Sequence, residues 1–146
     1  MTTILVINGP NLNKLGDRDK SIYGTLTLKD LEAQLLQLAT MLKLNLHCFQ
    51  SNSEGSIVDY IQSNAKIAQG IIINPGALTH YGYSLRDALE DSGLPIVEVH
   101  LSNIYSRESW RHHSVIAKIA KGQISGLGPK GYSMALEYLA NHLKGK

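Results

Sequence analysis

The sequence predicts an α/β fold: a doubly wound parallel sheet of five strands with helices on both faces. Three observations lead to it. Short runs such as Ile4-Leu5-Val6-Ile7 and Ile71-Ile72-Ile73 have the unbroken, β-branched character of strands covered on both sides. Between such runs, leucines and isoleucines recur at three- and four-residue steps, the period of an amphipathic helix. Strand and helix alternate, and with right-handed crossovers this gives a parallel sheet. A length of 146 residues suits one hydrophobic core, so residues 1–146 are expected to form a single domain.

The first strand, Ile4 to Ile7, is ended by Asn8-Gly9-Pro10. After a polar stretch Thr27 caps a helix with apolar positions Leu28, Leu31, Leu35, Leu38, Ala39 and Leu42. Leu44 to Phe49 is expected as the second strand, Ile57 to Ala68 as the second helix, and Gly70 to Asn74 as the third strand, stopped by Pro75-Gly76. Ser84 caps a short helix through Leu89, closed by Gly93 and Pro95, ahead of a fourth strand at Ile96 to Val99. Ile124 to Leu127 is expected as the fifth strand. Tyr132 to Leu143 follows as a final helix with Met134, Ala135, Tyr138 and Leu139 facing inward. Ser102 to Lys121 mixes helical spacing at Val115, Ile116, Ile119 and Ala120 with many polar groups and is assigned no element. Five strands in this order suit a flavodoxin-like sheet. The connection from Asn8 to Thr27 far exceeds the usual length of about 2–6 residues, as a mobile active-site lid would.

A composition of 43% hydrophobic and 18% charged residues is too apolar for a disordered chain and too interrupted by charge for a membrane protein. Fourteen basic residues stand against 12 acidic ones, too even a balance to advertise a nucleic-acid or anionic-membrane surface. The single cysteine, Cys48, excludes an intramolecular disulfide and a Cys-based zinc cluster, and fits a reducing compartment. The N-terminus lacks a basic start followed by a long apolar segment, and no run reaches the roughly 18 residues of a membrane span. A cytoplasmic protein without membrane or nucleic-acid partners is expected.

In open parallel sheets the ligand crevice lies beyond the carboxyl ends of the strands, near the point where the winding reverses. The first strand delivers Asn8, Asn11 and the long connection there; the third delivers Asn74, His80 and Tyr81; the fourth delivers His100, Ser102, Asn103 and Arg107. The end of the second strand, Gln50 to Glu54, is polar but lacks histidine and arginine, and turn chemistry accounts for it. Glu98 and His100 are two residues apart in extended backbone, so both point to one face and the carboxylate can orient or charge the imidazole. A lone sheet-end histidine more often caps buried carbonyls, but Arg107, Arg111, His112 and His113 crowd this one.

In the long connection Arg18 precedes Tyr23-Gly24, and a guanidinium near a phenol favours the phenolate. Phenols ordinarily titrate near pH 10, so proton abstraction near neutrality needs about 4 kcal/mol of electrostatic help, more than one arginine supplies. Arg107 adds to it if the lid closes. A solvated loop with a packed aromatic stands as the alternative. Gly9 to Gly16 has neither the Walker spacing nor a GxGxxG series, and His112-His113 lack a third ligand at metal spacing, so no metal site is assigned. Trp110 among basic residues is too small a patch for a nucleic-acid platform.

These segments together resemble the type II 3-dehydroquinate dehydratases over essentially the whole chain. The resemblance is carried by Ile7-Asn8-Gly9-Pro10-Asn11-Leu12-Asn13, Leu15-Gly16-Asp17-Arg18, Ile22-Tyr23-Gly24, Gln50-Ser51-Asn52-Ser53-Glu54-Gly55, Ile73-Asn74-Pro75-Gly76-Ala77, Glu98 to Ile104, Arg107-Glu108 and Arg111-His112-His113-Ser114. It implies a cofactor-free hydro-lyase of the shikimate pathway that converts 3-dehydroquinate to 3-dehydroshikimate by anti elimination through an enolate. By that resemblance Tyr23 removes the C2 proton, Arg18 makes the phenol more acidic, and Asn11 helps hold a water on the enolate oxygen. His100, supported by Glu98, protonates the departing C1 hydroxyl. Asn74, His80, Arg107, Arg111 and the Leu101-Ser102 backbone hold substrate, and Asp87 reaches a neighbouring subunit's site. The resemblance also implies a homododecamer built as a tetramer of trimers. One departure is Lys20, where the family's lid usually has proline; losing a fixed φ is expected to loosen the open lid. A flavodoxin-like module binding a flavin, a nucleotide or a phosphate in the same crevice is the rival reading, opposed by the missing phosphate loop.

Overall fold

The structure is a computed structural model that describes residues 1–145. Among the described residues it has β1 (Thr3–Asn8), α1 (Lys20–Tyr23), α2 (Leu28–Leu42), β2 (Asn45–Gln50), α3 (Glu54–Asn64), β3 (Gly70–Asn74), α4 (Tyr83–Asp91), β4 (Ile96–His100), β5 (Gly122–Ser125) and α5 (Lys130–Lys144). The strands form one parallel sheet in the order β2-β1-β3-β4-β5. This is the flavodoxin-like doubly wound arrangement, and its winding reverses between β1 and β3, which puts the crevice at their carboxyl ends.

Alternation along fully buried strands divides the core in two. Ile4, Val6, Ile72, Val97 and Val99 face α2 and α5, meeting Leu31, Leu35, Leu136 and Leu139. Their neighbours Leu5, Ile7, Ile71, Ile73 and Ile96 face the other way, onto Ile57 and Ile61 of α3 and Leu85 and Leu89 of α4. Strands that bury both faces cannot alternate polar with apolar residues, which explains the continuous apolar runs.

Helix starts follow their caps. Thr27 accepts from Asp30 N at 3.1 Å while the Asp30 carboxylate accepts from Thr27 N at 3.3 Å, a reciprocal arrangement that satisfies two free N–H groups. Ser53 caps α3, so that helix begins three residues before Ile57 with a polar turn the apolar pattern does not reach, and it ends at Asn64 in a 3-10 turn rather than running to Ala68. Ser84 is not the cap of α4. Gly82 stands at that position, and the Glu54 carboxylate, from the start of α3, takes Leu85 N at 3.0 Å. A partner 31 residues away makes a local capping side chain unnecessary.

Other boundaries also move. β5 lies two residues earlier than expected because Gly122 comes alongside Val97 and Ser125 alongside His100, after which Gly126 at φ 89° leaves the extended region. In α5 the inward stripe is Tyr132, Ala135, Leu136, Leu139 and Ala140. Met134 and Tyr138, expected inside, are 40% and 45% exposed. The unassigned 102–121 segment forms 3-10 turns at Ile104–Ser106, Ser109–His112 and Ala117–Ile119, and buries Val115 and Ile116 beside α4. No described helix is long and apolar enough to cross a membrane.

Candidate active site

The loops after β1 and β3 touch directly. Gly9 N donates to Asn74 O at 2.8 Å, and a Cβ on Gly9 would collide with the Pro75 carbonyl. Gly76 has φ 61°, and its Cβ would stand 2.9 Å from the Pro10 carbonyl oxygen. Only glycine permits both the approach and the conformation.

Beneath this junction the register sets Asn8 beside Asn74, and Tyr132 of α5 bridges them. Tyr132 donates its hydroxyl proton to Asn8 Oδ1 at 2.5 Å and accepts from Asn74 Nδ2 at 2.9 Å. Gly76 N donates to Asn74 Oδ1 at 3.1 Å, so the Asn74 amide has one orientation. Burial pushes the Tyr132 phenol up, keeping it a neutral hydroxyl.

At the end of β4, Glu98 is fully buried and His100 nearly so. His100 Nε2 lies 2.5 Å from Glu98 Oε2, and the same oxygen accepts from the Thr79 hydroxyl. Ser114 Oγ donates to Glu98 Oε1 at 2.8 Å. Burial alone raises the Glu98 carboxyl. The hydrogen bond and charge of His100, with the Thr79 and Ser114 hydroxyls, outweigh it and hold the group below the ordinary carboxylate range.

The long connection after β1 contains α1, capped by Asp19, whose Oδ1 accepts from Ser21 N at 3.0 Å. The Ser21 hydroxyl, which donates to the same oxygen at 2.6 Å, and then the Ser21 N–H hold the Asp19 carboxyl below its ordinary value. Tyr23 ends this helix and packs against the α2 side of the core. Arg18 places its guanidinium carbon 4.1 Å from the Tyr23 ring centroid, and Arg107 places its own at 5.3 Å. Arg107 also donates to Ser102 Oγ at 3.1 Å. Lid and β4 loop thus meet through one arginine, and they border a cleft of ≈ 240 Å3 lined by Ser21, Ile22, Leu101, Ser102 and Arg107.

His80 donates through Nδ1 to the His113 carbonyl at 2.7 Å, and burial, chiefly, holds its ring below the ordinary imidazole range. Trp110 sets its ring edge-on to His80 at 5.2 Å and lies 4.1 Å below the Arg111 guanidinium, which also donates to Glu108 Oε1 at 3.1 Å. Asp87 is exposed on α4 and, among the described residues, hydrogen-bonds to none of these groups.

Asn11 adopts the left-handed conformation at φ 71°. Its N–H is held by Asn52 Oδ1 at 3.0 Å, and Gln50 donates to Asn52 Oδ1 and to the Gly9 carbonyl. The end of β2 therefore does more than turn: Gln50 and Asn52 fix the loop that carries Asn11. Uncharged amides carry no titratable signal, so the sequence does not point to this role by charge. Two amides at a strand end beside the switch point are the signal that would have found it. Thr79 gives no such signal. Ser114 enters only through the family resemblance, and Trp110 only within a basic patch too small to bind nucleic acid.

Among the described residues no group of three or more His, Cys, Asp or Glu side chains is placed to hold a metal ion. Burial pushes the Cys48 thiol up to about 12, which leaves it a poor nucleophile. What remains is a phenol faced by two cations, an imidazole bonded to a buried carboxylate, and arginines and amides able to hold an anionic hydroxylated molecule. That set suits transfer of protons to and from carbon and oxygen.

The family described as Dehydroquinase class II matches residues 2–140. A 3-dehydroquinate dehydratase of Bacillus subtilis (strain 168) is 50% identical over 146 residues, covering 100% of this chain and 99% of that protein. One of Halothermothrix orenii is 53% identical over 144 residues, covering 99% and 97%. The crystal structure of a type II dehydroquinase from Propionibacterium acnes superposes with a TM-score of 0.93 at 44% identity, covering 97% of each chain.

Proposed function

This chain belongs to the class II dehydroquinase family, and from that premise we propose that it is a hydro-lyase that dehydrates 3-dehydroquinate to 3-dehydroshikimate, in the pathway toward chorismate and the aromatic amino acids. Tyr23, as phenolate, takes the proton from C2. The electron pair left behind moves into the adjacent carbonyl, giving an enolate whose oxygen is stabilised by a water held by Asn11. When the enolate collapses, the C1–oxygen bond breaks and His100 gives its proton to the departing hydroxyl, which leaves as water. Tyr23 has gained one proton and His100 has lost one, so a net proton return resets the site.

The observation that carries this reading is the pair of guanidinium groups on the Tyr23 ring, Arg18 from the lid and Arg107 from the loop that follows Glu98 and His100. Two positive charges lie at the ring, and one of them ties the lid tyrosine to the segment that bears Glu98 and His100. Asn74, His80, Arg111 and the Leu101-Ser102 backbone hold the substrate's hydroxyls and carboxylate. His80 and Arg111 suit that task because each is anchored by its own bond and by Trp110. Asp87, exposed on α4, is free to reach a neighbouring copy, as expected in a cytoplasmic homododecamer built as a tetramer of trimers. Light scattering on the purified protein reads that assembly. Turnover of 3-dehydroquinate, followed by the rise in enone absorbance, tests the activity, and a folded protein that produces no enone overturns it.

A further inference from the structure

The hydrogen-bond donors around Glu98 can be counted. Ser114 Oγ accepts N–H groups from Ile116 at 3.1 Å and Ala117 at 2.9 Å, which occupies both lone pairs and leaves its single proton for Glu98 Oε1. Thr79 Oγ1 lies 3.0 Å from Ser114 Oγ and also contacts Glu98 Oε2. With the Ser114 lone pairs committed, the Thr79 proton goes to the carboxylate. Each carboxylate oxygen thus receives one hydroxyl proton. A protonated Glu98 would have to set its own hydrogen against one of them. Thr79 and Glu98 are both fully buried, so no water replaces a missing hydroxyl.

His100 meets this acceptor-only carboxylate through Nε2, which must therefore carry a hydrogen, and Nδ1 is the nitrogen left for a ligand. We propose that Thr79 and Ser114 are positioning residues for the dehydration: their hydroxyls clamp Glu98 as an anion and so commit His100 to donate through Nδ1. The inference rests on the function proposed above and extends it to two residues that do not themselves touch substrate. The charged and titratable surroundings of Glu98 are few. β4 itself contributes His100, and the Gly76–His80 turn contributes His80. The segment leading to Ser114 contributes Arg111, His112 and His113, and the flanking strands set only Ile73 and Gln123 opposite.

The test compares Thr79→Val, Thr79→Ser and Ser114→Ala through kcat, KM and their pH profiles. Thr79→Val is expected to lower kcat about 10- to 100-fold, the effect of losing one hydrogen bond to a buried charge, with KM changed less than about twofold. The acid limb of its kcat profile is expected to move to higher pH, because a carboxylate stripped of a donor protonates sooner. Thr79→Ser, which keeps the hydroxyl, is expected to restore both. A Thr79→Val enzyme with parental kcat and profile overturns the proposal, as does a Thr79→Ser enzyme equally impaired, since packing would then be the cause. Nitrogen NMR of His100 in the parent protein needs no variant. A hydrogen on Nε2, whether alone or with a second on Nδ1 in the doubly protonated ring that donates, supports the clamp, and a neutral ring protonated only at Nδ1 overturns it. This readout stands even if 3-dehydroquinate is not turned over, so failure of the clamp and failure of the functional reading remain distinct.

Discussion

At the end of β4, Glu98 and His100 are buried in a web of directional hydrogen bonds. Tyr23 instead ends a four-residue helix whose other side chains are exposed, and Arg18 lies in the loop just before it. Strand register and two turns determine where the first pair sits before any ligand arrives. In the second, a guanidinium rests on a ring face, a contact worth about 1 kcal/mol. The proposed proton donor is thus held by the scaffold, and the proposed acceptor by the lid. A carboxylate–imidazole pair works only at fixed geometry, whereas charge acting on a ring does not demand it.

The sharpest way to break that contrast is Tyr23→Phe, which removes the accepting oxygen and almost no volume. Turnover is expected to fall by about 10²–10⁴ while calorimetry still detects product binding. Turnover near the parent's would remove the lid from the chemistry. Glu98→Gln attacks the rigid side. Its amide keeps one oxygen as acceptor but sets NH2 hydrogens against whichever of Thr79 and Ser114 donates to the other position, so a loss of about 3 kcal/mol of stability is expected with the loss of rate, seen as a lower midpoint in urea unfolding.

Arg18→Ala is expected to cost about 10- to 100-fold in kcat with no change in unfolding midpoint. A matching loss of stability would mean that the lid arginine is part of the scaffold. Acid titration separates the regions further. The folded Glu98 carboxyl sits below its ordinary value of 4.5, so the stability it contributes is complete above that value and lost as pH falls through the lower one. Unfolding curves between about pH 6 and 3 are expected to lose stability less steeply in Glu98→Gln than in the parent.

The smallest effect belongs to Lys20→Pro. Lys20 is the first residue of α1, where a missing N–H costs nothing, and Asp19 before it has the extended ψ of 107° that a following proline requires. A gain of about 0.5 kcal/mol in lid order, read as slower amide exchange at Tyr23 and Gly24, is expected. Faster exchange there would contradict the view that the lid is held mainly by its own short helix.

Much of this was legible along the chain. The β-branched runs, the helical spacing of Leu31, Leu35 and Ala39, and the polar strand ends located the sheet and the crevice, because burial on both faces and the 3.6-residue period are properties of local segments. Glu98 and His100 could be paired from their two-residue spacing alone. Ser84 was misread as a cap because the real acceptor, Glu54, is remote in sequence. Met134 and Tyr138 were misplaced because a helix's inward stripe depends on where its axis settles against the sheet. Thr79 and Ser114 carry no charge and lie 35 residues apart, so nothing local pairs them on Glu98.

The order of residues by itself determined which segments are strands and helices, and which chemical groups reach the carboxyl edge of the sheet. Folding decided which of those groups meet: Arg107 with the Tyr23 ring, Tyr132 between Asn8 and Asn74, and two hydroxyls on one carboxylate. The reason is range. Backbone preference and periodic burial act over a few neighbours, but hydrogen-bond and charge partners are chosen by proximity in space, and that exists only once the layers have packed.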